Sequence, residues 1–72
     1  MIIEYYSPEQ LIAVIPVDDD AVAVYEAAVE AWHWIYQNGG GKAMLRTSPD
    51  SKPVRIMLST LIELERAAFP QQ

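Results

Sequence analysis

Hydrophobic and polar positions divide the chain into short stretches with different periods. Ile2 to Tyr6 is rich in β-branched and aromatic residues and is closed by Ser7-Pro8, which predicts a strand. Leu11 to Val17 follows after Ser7-Pro8-Glu9-Gln10 and admits two forms. The tetrapeptide has the spacing of a capping box, which would open a short helix stopped by Pro16. It also suits a hairpin turn, with Leu11 to Val17 as a second strand. The β-branched Ile12, Val14, Ile15 and Val17 favour the hairpin.

The clearest element runs from about residue 20 to 38. Asp18, Asp19 and Asp20 supply a helix N-cap and negative charge where a helix dipole favours it. Asn38-Gly39-Gly40-Gly41 supplies the stop. On a helical projection Glu26, Glu30, His33 and Gln37 share one polar stripe. Val22, Tyr25, Val29, Trp32 and Tyr36 border it and continue through Ala21, Ala28 and Ile35 into an apolar arc covering over half the helix. An arc that wide predicts burial on more than one side, as a central helix or a dimer seam through Tyr25, Val29, Trp32 and Tyr36. Trp34 falls beside the glutamates, between Ala23 and Ala27. It is expected either to be covered by a neighbouring element or to anchor a partner, since tryptophan dominates interface hot spots.

Beyond the glycines, Lys42 to Thr47 predicts a strand and Ser48-Pro49-Asp50-Ser51 a turn. From Pro53 two forms again compete. One is a single amphipathic helix to Phe69, with Val54, Met57, Leu58, Leu61, Leu64 and Ala68 on one face. The other is a strand over Val54 to Leu58 followed by a helix capped by Thr60 and Glu63. Either way the last helix ends near residue 69, before Pro70. The expected fold is α+β: one domain over residues 1–72, two layers, with short antiparallel hairpins packed on the long helix and a C-terminal helix. The two halves show no residue-level repeat.

Composition sharpens this picture. A chain of 72 residues buries only roughly 60% of the surface it exposes unfolded, so its margin of stability is thin. With no cysteine and one histidine, neither disulfides nor a structural zinc site is expected to widen it. Yet 51% of the residues are hydrophobic and 21% charged, more apolar material than so small a core hides. A homodimer or a partner surface is the expected outlet. The opening residues lack a basic leader and no run reaches membrane-spanning length, so a cytoplasmic protein without membrane contact is expected.

Charge is unevenly placed. Residues 1–41 hold seven acids and no lysine or arginine, whereas residues 42–72 hold three acids and five bases. An acidic half repels nucleic-acid phosphates and attracts basic protein surfaces, so direct nucleic-acid binding is disfavoured.

The motifs that carry chemistry are incomplete. Gly41-Lys42 is followed by Ala43, and Tyr36 stands where a phosphate-binding loop needs its first glycine. Asp18-Asp19-Asp20 is contiguous, without the alternation of a calcium loop. His33, beside Glu30, is the one candidate general base near neutral pH and has no evident nucleophile. No catalytic residue, metal site or cofactor is expected. The expected function is a small acidic protein-binding domain that binds and blocks another protein with a basic surface. This is the kind of inhibitor that phages and mobile elements use against host defence. Its expected contact residues are Asp18, Asp19, Asp20, Glu26, Glu30 and Trp34. The alternatives are an antitoxin-like protein, a homo-oligomeric structural subunit, or a small-ligand or enzymatic module using His33 and Glu30 at a dimer pocket.

Overall fold

A computed structural model describes residues 1–70 and contains four strands and two helices in the order β1 (Ile2–Tyr6), β2 (Leu11–Pro16), α1 (Ala21–Gln37), β3 (Lys42–Arg46), β4 (Val54–Arg55), α2 (Leu58–Ala68). The sheet order is β2-β1-β3-β4 with every neighbouring pair antiparallel. Two hairpin-plus-helix units thus place their first strands side by side at the centre. α1 covers one face of the sheet against β1 and β3 and α2 packs beside α1, giving an α+β domain of 40 × 27 × 16 Å. Among the described residues no helix is long and apolar enough to cross a membrane.

The first hairpin takes the strand form: Ser7 N–H donates to the Gln10 carbonyl across the turn. Its phase follows from one end. Met1 and Val17 exchange both backbone bonds, at 2.9 and 2.7 Å. Alternation along an antiparallel ladder then makes Ile3–Ile15 and Tyr5–Ala13 bonded pairs, and Ile2–Pro16 and Glu4–Val14 non-bonded ones. Pro16 therefore sits where its missing N–H removes no ladder bond, which is how a proline is accommodated in an edge strand. Tyr5 faces Ala13 while Tyr6 faces Leu11, so Ile12 is an extra, bulged residue.

Asp20 caps α1, its carboxylate accepting from Ala23 N–H at 3.0 Å. Asn38 closes the other end, and Gly39, at φ 72°, turns the chain out of the helix. Gly41 is the position where glycine is obligatory. Its φ is +98°, and a Cβ there would collide with the Tyr6 carbonyl oxygen.

The second half corrects one expectation. β4 is two residues long, and α2 begins at Leu58, with Met57 rather than Thr60 as its N-cap. Thr60 occupies the third helical position and reaches back. Its hydroxyl accepts from Met57 N–H at 3.2 Å and donates to the Arg55 carbonyl at 3.0 Å. A strand continuing through Leu58 would have left the first turn of α2 without that partner.

The core lies between the layers: Ile3, Val24, Ala28, Ala31, Ala43, Leu45, Ile56 and Leu61. Three of these eight are alanines, so helix and sheet approach closely and little volume is enclosed. The buried face of α1 is thus its small-residue face, through Val24, Ala28 and Ala31. The large residues expected to be buried on more than one side lie around it: Val29, Trp32 and Tyr36 are exposed and Tyr25 is half-buried. On the open face of the sheet, Arg46 Nε donates to Glu4 at 2.9 Å and its Nη1 to the Ser51 carbonyl at 2.6 Å.

Candidate functional site

The helix pair carries a set of exposed apolar side chains: Val29, Trp32, Tyr36, Leu58 and Ile62. The small core residues of α1 leave Tyr25, Val29 and Trp32 beside α2, where Leu58, Ile62, Glu65 and the C-cap Phe69 lie near them, and Tyr36 projects on the same helical face, almost fully exposed. One hydrogen bond and one aromatic contact tie the rims together. The Tyr25 hydroxyl donates to Glu65 Oε2 at 3.0 Å, and the Tyr25 ring meets Phe69 edge-on at 5.8 Å. That hydrogen bond to a carboxylate is the main reason the Tyr25 phenol is held above its ordinary pKa, with slight desolvation and the charge of Glu65 adding to it.

Between the helices runs an open groove of about 270 Å³ whose floor is Val29, Leu58, Leu61 and Ile62. At one end it passes into a shallow basin bounded by Tyr25, Glu26, Val29, Glu30 and His33. At the other it meets a recess lined by Trp32, Ile56, Met57 and Leu58, with Lys42 and Arg55 at its mouth. Tyr36 is 84% exposed, Leu58 58% and Met57 52%, values that belong to a surface waiting for cover more than to a core margin. The groove has an acidic rim at Glu26 and Glu30 and a basic mouth at Lys42 and Arg55.

The residues expected to make a single acidic contact divide into three places. Glu26 and Glu30 lie together on the solvent stripe of α1, next to the groove. Asp19 and Asp20 have local partners at the start of α1, the amino-terminal ammonium at 2.9 Å and the Ala23 amide; Asp18 is exposed beside them. Trp34 lies on the opposite flank, half-buried, its ring 4.9 Å from that of Tyr5 and inclined at 61°. Glu30 stands close enough to that pair to help raise the Tyr5 phenol, whose shift comes first from burial. His33 is exposed on the rim. Among the described residues no three histidine or acidic side chains converge in a way that could hold a metal ion.

Sequence reasoning missed the α2 half of the groove. Met57 and Leu58 are expected either on the apolar face of one long helix or in a strand over Val54 to Leu58, whereas they stand exposed as the N-cap and first residue of α2. No protein-family model matches the chain, and no curated protein or solved structure was found to match it.

Proposed function

We propose that the protein is a binding module that captures and thereby blocks another protein, using the α1–α2 groove as its contact. The observation that carries this reading is the row of open recesses along α1 and α2 beside an acidic rim, on a domain whose core is too small to absorb those side chains. Its occupant is an amphipathic segment with an apolar face and flanking lysines or arginines. The apolar face would lie over Val29, Trp32, Leu58 and Ile62, and the basic residues would meet Glu26 and Glu30. Trp32 and Tyr36 are the anchors, since large aromatic rings give much contact area for little lost freedom. The small size and the acidic surface suit an inhibitor of the phage or mobile-element type, or an antitoxin, which neutralise a target by occupying it.

The test is co-purification from a host lysate at low and high salt, followed by titration of the captured protein against variants. Trp32→Ala is expected to weaken binding by about 2 kcal/mol, roughly thirtyfold. The Glu26→Lys, Glu30→Lys pair is expected to slow association and remove its salt dependence. Full affinity in both variants would overturn the reading.

A further inference from the structure

The two edges of the sheet are built differently. At the β4 edge the strand is two residues long, preceded by Lys52 and Pro53. Ala43 and Leu45 bond inward to Ile56 and Val54, which leaves the Arg55 carbonyl pointing outward, where the Thr60 hydroxyl takes it at 3.0 Å. Short length, a lysine, a proline and a covering helix turn are the devices that close an edge. The β2 edge has only Pro16, whose missing N–H faces outward, and the bulge at Ile12, and it lacks the short length, the lysine and the covering turn. Six residues, Leu-Ile-Ala-Val-Ile-Pro, carry no charge in a chain of net charge −5. The hairpin phase turns the Val14 N–H and C=O away from β1, and no hydrogen bond within the described residues reaches them.

Both faces of β2 are apolar as well. Val14, 50% exposed, lies on the open face of the sheet with Glu4. Ile15, 42% exposed, lies on the helix face with Ile3, beyond the cover that α1 gives β1 and β3. A strand that ends a sheet for good shows polar residues on its solvent side, whereas a strand apolar on both faces is read as an interior one.

We infer that β2 is a dimerisation strand, pairing antiparallel with β2 of a second copy about a two-fold axis at Val14 to make one eight-stranded sheet. The symmetry fits the residues. Val14 meets its own counterpart and exchanges both backbone bonds with it, satisfying the outward Val14 groups in each copy, while the flanking Ile12–Pro16 pairs keep one bond each because Pro16 has no N–H. One residue away, Ile15 of each chain lies opposite Ala13 of the other, large against small on the helix face. Pairing is uncharged along the strand, and the nearest acid before it, Glu9, is already matched by Lys42 at 3.6 Å. A foreign strand could use the same amides, but only a second copy matches Ile15 with Ala13 on both sides of the axis. The groove of the proposed function lies on the other flank of α1 and stays open in this dimer, so the two can fail separately.

Sedimentation equilibrium of the full chain over about 1 µM to 1 mM tests it. The expected mass is twice 8.1 kDa at the upper end, falling toward 8.1 kDa on dilution. Val14→Pro deletes the outward N–H without touching the β1 ladder, and it is expected to be folded by circular dichroism and monomeric throughout. Should that variant fail to fold, Val14→Lys, which sets two like charges face to face, is expected to weaken dimerisation at least tenfold. A wild-type chain that is monomeric at about 1 mM would overturn the inference. So would a folded Val14 variant that dimerises like the wild type, or a dimer that Val29→Lys abolishes and Val14→Pro leaves intact.

Discussion

Gly41 and Tyr5 show how much rests on single residues. At Gly41 the chain leaves α1 and enters β3 while passing against the Tyr6 carbonyl, at a φ open only to glycine at little cost. Gly41→Ala is expected to lower unfolding stability by about 2 kcal/mol or more, measured by urea denaturation. Gly39, with open space around it, is expected to tolerate alanine better. The glycine run was legible as a helix stop, but which glycine is irreplaceable depends on β1, a contact no local pattern encodes. Tyr5 gives a pH prediction. Burial first, and the charge of Glu30 second, hold its phenol above the ordinary value of 10.0. The folded state therefore prefers the neutral phenol. That stability is fully present below the unfolded value and is lost as pH rises through the higher folded one. An ultraviolet titration is expected to show two late-ionising tyrosines, Tyr5 and Tyr25, of which the Tyr5 component shifts earlier in Glu30→Gln and is lost in Tyr5→Phe while that of Tyr25 stays.

Among the elements, those fixed by local chemistry were legible and those fixed by neighbours were not. The aspartates and glycines bracket α1 within a residue of its observed ends, because caps act through adjacent amides. β2 was legible from its β-branched run once a turn was allowed at Ser7–Gln10. The start of α2 was misjudged because Thr60 and Glu63 satisfy a capping spacing equally well. The hydroxyl instead reaches back to Met57 and Arg55, where it holds strand and helix together. Thr60→Val keeps the shape and removes the hydroxyl. It is expected to cost about 1–2 kcal/mol in thermal unfolding, since the Met57 N–H and the Arg55 carbonyl both lose a partner. Of the candidate site, the acidic stripe of Glu26 and Glu30 and the apolar band of Val29, Trp32 and Tyr36 could be read from helical spacing, though the band was expected to be buried. Which side of α1 is buried could not. The wide band looks like the core face until the tertiary fold selects Val24, Ala28 and Ala31.

Across the whole molecule, apolar side chains outnumber the space available to hide them. Eight residues make the core, and among the described residues twelve large hydrophobics remain exposed, gathered chiefly on β2 and along the helix pair. The composition signalled that surplus, and the fold apportions it to two separate flanks of α1. The sealed β4 edge then sets a limit on growth. In the language of polymer chemistry, the chain is a monofunctional monomer for strand pairing: it has one reactive end, and using it leaves none. Coupling two copies through β2 exhausts both, and the product presents a closed strand at each extremity. High concentration is therefore expected to drive the protein to a discrete pair and no further, where a sheet with two open edges would run on into fibres.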